Sequence, residues 1–220
     1  MRYDAIVIKI GCTGGIAAGK SLFCSYMAGN GAAVIDADEV THYLLNSDLA
    51  LKTQLVNAFG GQILASDFSV SRPELAAVAF SSPDQKKTLE SIVHPYLRKE
   101  ILQRIERFAL RKPPMLIIEG ALLIETGAAD FYGLRALIVV EAPLSAAAAR
   151  LRESKKIGES DIEKRISVQS PGTERLKSGD FIIINSGDKN LLEKMARNVF
   201  DAVMKNCGLI PSDPPTHGQS

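Results

Sequence analysis

The chain has 220 residues, of which 46% are hydrophobic and 23% charged, as in an ordinary globular protein with a sizeable core. Its formal net charge of +1 gives no overall field that would attract a nucleic acid or a membrane surface. Three cysteines give no disulfide framework, no apolar stretch is long enough to span a bilayer, and no signal peptide fits before the first predicted strand. We therefore expect a cytoplasmic protein with no nucleic-acid, membrane or obligate protein partner.

The first predicted element is a buried strand, Ala5–Ile10, and soon after it the sequence reads Gly14-Gly15-Ile16-Ala17-Ala18-Gly19-Lys20-Ser21. This stretch fits the pattern G-x-x-x-x-G-K-[ST] of a phosphate-binding P-loop. Glycine permits the positive φ angles that point successive backbone N–H groups at a polyphosphate. Lys20 would carry a point charge to the β- and γ-phosphates, and the Ser21 hydroxyl is suited to ligate Mg²⁺. A helix beginning at Lys20 would direct its positive dipole end to the same anion. We predict that a nucleoside triphosphate is bound by Gly14, Gly15, Ile16, Ala17, Ala18, Gly19, Lys20, Ser21 and Leu22.

A second short strand, Ala32–Ile35, ends in Asp36-Ala37-Asp38. Carboxylates at the carboxyl end of a parallel strand lie at the edge where α/β proteins bind ligands. Two acids spaced i, i+2 beside a triphosphate could hold Mg²⁺ or take a proton from an attacking hydroxyl. Asp38 could equally serve only as the cap of a helix that begins at Glu39, and the spacing leaves both interpretations open.

Helices and connectors, without a clear buried strand, are predicted over residues 39–111. Ser71 opens a capping box, S-x-x-E, which predicts a helix through Phe80. His94-Pro95 predicts a helix break, followed by a long amphipathic helix over Tyr96–Leu110. We interpret 39–111 as a helical insertion that holds a second substrate.

Three further apolar runs, Met115–Ile118, Ala136–Glu141 and Phe181–Ile184, predict buried strands separated by helical sequence. Strands that alternate with helices predict an α/β protein, here a P-loop NTPase fold with a five-stranded parallel sheet flanked by helices. The nucleotide-binding core would comprise residues 1–38 and 112–210. The Pro-rich polar tail, 211–220, is predicted to be disordered.

A basic segment precedes the last strand, and we predict a lid over about residues 154–175. Its charges could be a solvated surface, or a flap that closes over the phosphates and excludes water. The basic residues are Arg150, Arg152, Lys155, Lys156, Lys164, Arg165, Arg175 and Lys177.

In its ordered motifs the chain resembles the dephospho-coenzyme A kinases, a family with the nucleoside-monophosphate-kinase-like P-loop fold. The resemblance extends from the first strand to the last helix. The residues that carry it are, in chain order, Thr13-Gly14-Gly15-Ile16, Ile35-Asp36-Ala37-Asp38, His42, Phe59-Gly60, Arg72, His94-Pro95, Arg98, Leu122-Leu123, Glu125, Arg150-Leu151, Arg165, Gln169, Asp180 and Asn185-Ser186-Gly187.

The resemblance implies a reaction in which ATP, with Mg²⁺, phosphorylates the ribose 3′-hydroxyl of dephospho-coenzyme A to give coenzyme A. It implies that Asp38 acts as the base toward that hydroxyl, and we assign the metal to Ser21 and Asp36. It places Asn185 and Gly187 beside the adenine of ATP. The residues expected to bind the acceptor substrate are Asp38, His42, Arg72, His94 and Arg98.

Three positions depart from the family pattern. Ala121 replaces the usual Pro before Leu-Leu, Ser71 replaces the usual Asp before Arg72, and Ser154 stands where the lid usually has Arg. Because Ser154 cannot supply a cation, we consider three neighbours as candidates for it: Arg150, Lys155 and Lys156.

Two other functions stay open at this point. One is a P-loop kinase of another nucleotide or small metabolite, because the composition of the helical insertion does not exclude it. The other is a non-catalytic ATP-binding protein, which the loss of a lid arginine would favour.

Overall fold

The computed structural model describes residues 7–121, 123–124, 126–153 and 172–206. It divides into two compact units, one formed by Ile35–Leu110 and the other by the described residues before and after that segment. We name them the helical unit and the sheet unit.

Five strands form one sheet in the order β2-β3-β1-β4-β5, and the predicted five-stranded parallel sheet is confirmed. The strands are β1 Ile8–Gly14, β2 Ala33–Asp36, β3 Met115–Glu119, β4 Ala136–Glu141 and β5 Phe181–Ile184. The central strand β1 runs further than the predicted end at Ile10, because Cys12 pairs with both Glu119 and Ile138. Gly11, the residue after that predicted end, lies within the strand, where a Cβ would come 2.7 Å from Leu137 Cδ1.

Helices account for most of the remaining described residues. They are α1 Lys20–Gly29, α2 Ala37–Ser47, α3 Leu49–Phe59, α4 Arg72–Ala79, α5 Pro83–Ala109, α6 Ala128–Tyr132, α7 Leu144–Glu153, α8 Gly172–Ser178 and α9 Lys189–Asn206. None of these helices is both long and apolar enough to cross a membrane.

The core of the sheet unit lies between the sheet and the helices α1 and α9, which pack against each other. Phe23 and Met27 of α1 are completely buried against Ile10 and Ile117 of the sheet. Burial of side chains of this size contributes about 1.5–3 kcal/mol each. This packing fixes the amino end of α1, and with it the P-loop, at the carboxyl edge of β1.

The helical unit contains α2 to α5, and the predicted break at His94-Pro95 is wrong. Helix α5 is continuous over Pro83–Ala109 with Pro95 inside it. Proline in a helix removes one backbone hydrogen bond and costs about 3 kcal/mol. Buried Val93 and Ile101 lie on either side of Pro95, and α5 packs against α2, α3 and α4, so tertiary packing outweighs the local preference.

The helix starts are set by caps, and one cap differs from the prediction. Helix α2 begins at Ala37 with Asp36, not Asp38, as its N-cap, because Asp36 has the extended backbone that a cap requires. Asp36 Oδ1 accepts hydrogen bonds from the N–H groups of Asp38 at 2.7 Å and Glu39 at 3.3 Å. Ser71 caps α4 as predicted, by accepting from the Glu74 N–H at 3.5 Å.

Candidate active site

The P-loop connects the end of β1 to α1 through several positive φ angles. Gly14 has φ 150° and Gly19 has φ 93°, while Ala17 adopts the left-handed region at φ 52°. A Cβ at Gly14 would lie 1.8 Å from the Val140 carbonyl oxygen, and one at Gly19 would lie 2.3 Å from Asn185 Nδ2. Glycine is therefore required at both positions, because a Cβ would clash with a neighbouring atom and because other residues rarely adopt these φ angles.

Lys20 and Ser21 begin α1 at the carboxyl edge of the sheet. Lys20 Nζ donates to the carbonyl oxygens of Gly14 at 3.2 Å and Gly15 at 3.1 Å, which holds the ammonium group at the mouth of the loop. Ser21 Oγ donates to Glu119 Oε1 at 2.7 Å. The structure thus brings the two side chains expected to act on phosphate and metal to one place.

Glu119 is a site residue that the sequence interpretation missed. It ends β3, the neighbour of β1, and is 5% exposed. The sequence does carry a signal for it, since an acid follows the apolar run of β3 at the same edge as the P-loop. Ser21 and Glu119 together present hard oxygen donors of the type that Mg²⁺ prefers, with room in its coordination sphere for phosphates and water. A cluster of three or more metal-type side chains is absent from the described residues.

Two buried cysteines lie beneath this pair. Cys12 and Cys24 are 0% and 1% exposed, so both are small, buried core side chains. A hydrogen bond to the Cys12 thiol, burial and the nearby Glu119 carboxylate raise the pKa of the Cys24 thiol well above its usual value. The Cys24 thiol is therefore protonated and unreactive near neutral pH.

Asn185 and Arg150 contact the backbone of the P-loop. Asn185 is 5% exposed and its Nδ2 donates to the Ala18 carbonyl oxygen at 2.8 Å. Arg150 Nη1 donates to the Ala17 carbonyl oxygen at 2.8 Å, and Nη2 donates to the Asn185 carbonyl oxygen at 3.1 Å. Gly187 donates its N–H to Asn185 Oδ1 at 3.1 Å.

Little of the predicted lid falls within the described residues. Ser154, Lys155 and Lys156 lie outside them, as do Arg165 and Gln169. Arg175 of α8 is described, and its Nε donates to Glu141 Oε1 at 2.8 Å in an ion pair whose side chains are 9% and 16% exposed. That pair attaches α8 to the carboxyl end of β4.

The predicted acceptor-binding residues lie on three helices of the helical unit. Asp38 and His42 are four residues apart on α2, and His94 and Arg98 are four apart on α5, so each pair shares one helix face. Helices α2 and α5 pack against each other. Arg72 is exposed at the first position of α4. Leu122 and Glu125, which contribute to the resemblance, lie outside the described residues.

A P-loop at the centre of a parallel sheet, with a lysine, a serine and an acid at one edge, defines a P-loop nucleotide-binding protein as the class. The family model of dephospho-CoA kinase matches residues 8–190. The chain belongs to the dephospho-CoA kinase family.

Sequence relatives and solved structures agree with this assignment. The dephospho-CoA kinase of Corynebacterium diphtheriae is 34% identical over 191 residues, which cover 87% of this chain and 94% of that protein. A solved structure from Thermus thermophilus has a TM-score of 0.75 at 26% identity and covers 91% of this chain and 97% of its own. The dephospho-CoA kinase from Campylobacter jejuni has a TM-score of 0.59 at 25% identity, with 90% and 97% covered.

Proposed function

We propose that this protein transfers the γ-phosphoryl group of ATP to the ribose 3′-hydroxyl of dephospho-coenzyme A, giving coenzyme A. The observation that carries the proposal is the P-loop, with Lys20 and Ser21 at the edge of the central strand, in a chain of this family. A cytoplasmic location and the absence of nucleic-acid or membrane partners, expected from the sequence, are part of the proposal.

On the ATP side, the chain supplies fixed charge and fixed dipoles. The backbone N–H groups of the loop and the amino end of α1 bind the β- and γ-phosphates, and Lys20 neutralises charge that develops on the transferred group. Phosphoryl transfer depends mainly on such positioning and little on covalent chemistry by the protein. The Lys20 ammonium lies against the loop carbonyls of Gly14 and Gly15, at the mouth of the loop that would hold the phosphates.

The metal site proposed here is Mg²⁺ held by Ser21 with Glu119 beside it. Bound there with ATP, Mg²⁺ would supply positive charge that offsets the negative charge of the phosphates. The hydroxyl of Ser21 and the carboxylate of Glu119 are 2.7 Å apart and fit this ion by donor type. Asp36, assigned to the metal from the sequence, uses one carboxylate oxygen to cap α2, so we regard it as the weaker candidate.

On the acceptor side, Asp38 is the proposed base. Its side chain is exposed in the first turn of α2, where it can reach a substrate hydroxyl. His42, Arg72, His94 and Arg98 would bind the acceptor through its phosphate and polar groups. Because Arg150 contacts loop carbonyls, Lys155 and Lys156 are the stronger candidates for the lid cation.

The test is an ADP-release assay with dephospho-coenzyme A against a panel of nucleoside monophosphates and shikimate-like alcohols. We expect turnover with dephospho-coenzyme A to exceed that with any other acceptor at least about a hundredfold in kcat/KM. Comparable turnover with another acceptor would indicate a different small-molecule kinase. Binding of ATP without turnover of any acceptor would indicate a non-catalytic ATP-binding protein.

A further inference from the structure

Two side chains from distant parts of the chain hold consecutive carbonyl groups of the P-loop. Arg150 of α7 binds the Ala17 carbonyl at 2.8 Å, and Asn185, which follows β5, binds the Ala18 carbonyl at 2.8 Å. Arg150 also binds the backbone carbonyl of Asn185 at 3.1 Å, so the two residues are linked to each other. We call Arg150 and Asn185 the loop brace.

The brace controls where the loop points its N–H groups. The described peptide bonds are trans, so each carbonyl points opposite to the N–H of the next residue. Holding the Ala17 carbonyl therefore directs the Ala18 N–H, and holding the Ala18 carbonyl directs the Gly19 N–H. The Ala18 N–H does point back across the loop, with a 3.3 Å contact to the Gly15 carbonyl oxygen.

The brace also accounts for a strained residue. Ala17 has φ 52°, a conformation that is unfavourable for a residue other than glycine. The charge-assisted hydrogen bond from Arg150 to the Ala17 carbonyl stabilises the loop in this conformation.

Both polar atoms of the Asn185 side chain bind protein backbone. Its Nδ2 donates to Ala18 and its Oδ1 accepts from Gly187, and the residue is 5% exposed. The backbone N–H of Asn185 donates to the Glu141 carbonyl oxygen at 2.7 Å, which attaches it to the end of β4. Little of this side chain is left for a direct contact with adenine.

We propose that Arg150 and Asn185 are positioning residues that hold the P-loop in its phosphate-binding conformation, rather than a cation for the γ-phosphate and an adenine contact. This inference rests on the proposed function, since it assumes that the P-loop binds the phosphates of ATP. It replaces the roles predicted from the sequence, a lid cation for Arg150 and an adenine contact for Asn185. It also predicts that changes at these residues lower the affinity for phosphate and leave the affinity for adenine unchanged.

The experiment measures two probes by calorimetry, with tripolyphosphate reporting on the P-loop alone and adenosine on the purine site alone. Asn185→Ala should weaken tripolyphosphate affinity about tenfold, with adenosine affinity unchanged. Arg150→Lys keeps the charge but loses the planar fork whose two nitrogens each bind one carbonyl, so it should weaken tripolyphosphate affinity about fivefold. Exposed residues of α9 provide matched controls, Asn190→Ala and Arg197→Lys, which should bind both probes as the wild type does.

Each result has one meaning for the proposal. Wild-type tripolyphosphate affinity in Arg150→Lys, or a loss of adenosine affinity alone in Asn185→Ala, would overturn the loop brace while leaving the kinase function intact. If Asn185→Ala does not fold, Arg150→Lys still decides the question. A wild-type protein that binds neither tripolyphosphate nor ATP would overturn the proposed function and the brace together.

Discussion

The phosphate-binding edge of the sheet unit and the proposed acceptor-binding surface of the helical unit are built in different ways. At the sheet edge the proposed contacts are backbone N–H groups together with Lys20 and Ser21, and the side chains that support them, Asn185 and Glu119, are each 5% exposed. In the helical unit the proposed contacts are themselves side chains, and Asp38, His42 and Arg72 are all exposed. A backbone site is fixed by packing and serves any triphosphate. A site made of exposed side chains depends on the positions of those residues along their helices, and substitutions there can change which acceptor is bound.

The largest expected effect tests the sheet edge. Lys20→Ala should lower kcat by about 10³-fold with every acceptor, because it removes charge stabilisation of the transferred phosphoryl group. The melting temperature should stay within a few degrees of wild type, since the ammonium contacts only two loop carbonyls. Lys189→Ala, at an exposed position of α9, is the control. Wild-type turnover by the Lys20 variant would remove the P-loop from the mechanism.

The next effect tests the helical unit. Asp38→Asn keeps the side-chain volume but removes the proton acceptor, and should lower kcat about a hundredfold while ATP affinity is unchanged. The effect should be smaller than that at Lys20, because a loose transition state needs little help from a base. Steady-state kinetics together with ATP titration separate the two quantities. A loss of ATP affinity in this variant would show that Asp38 also contributes to ATP binding, and would contradict the assignment of ATP and acceptor to separate regions.

A smaller effect decides which acid serves the metal. Glu119→Gln still accepts a hydrogen bond from Ser21 but lacks the charge, and should raise the Mg²⁺ concentration for half-maximal rate about tenfold. Asp36→Asn should leave that concentration unchanged, because Asn caps a helix as well as Asp does. The reverse result, with Asp36 sensitive and Glu119 insensitive, would restore the assignment made from the sequence.

The smallest expected effect concerns strain in the two regions. Phe68, in the helical unit, has φ 61° and is 71% exposed, whereas Ala17 at φ 52° is held by Arg150. Phe68→Gly relieves the unfavourable φ and should raise the free energy of unfolding by about 1 kcal/mol, without changing kcat or KM. Denaturant unfolding measures it. A loss of acceptor affinity instead would show that Phe68 belongs to the acceptor surface.

The sequence predicted the fold more fully than the site, and particular residues show why. Beta-branched runs and the P-loop identified every strand, because those signals are local. Pro95 gave a wrong prediction for α5. The local helix-breaking signal was outweighed by tertiary packing, because Val93 and Ile101 of α5 are buried and the helix packs against α2, α3 and α4. The spacing of Asp36 and Asp38 did not show which of them caps α2. The N-cap is the residue just before the helix, and here that is Asp36, because β2 ends at Asp36 and α2 begins at Ala37.

The missed features of the site are those that depend on contacts between distant residues. Glu119 meets Ser21 only because β3 lies next to β1, and Asn185 meets Ala18 only because β5 ends beside the loop. A motif fixes residues that are close in the chain. It carries no information on which strand end supplies an acid or an amide to them.

The sheet order has a consequence for how the protein is made on the ribosome. Strand β1 takes its partners from β3 and β4, and Ile8 is paired with Met115, so the first strand has no neighbour until the chain beyond the helical unit has been translated. At about 5–20 residues per second, that wait is on the order of 5–20 s. The helical unit, Ile35–Leu110, is contiguous and rich in local contacts, which typically allow folding in microseconds to milliseconds. We therefore expect the nascent chain to fold its helical unit first, and the P-loop to take its final conformation only when the later strands emerge.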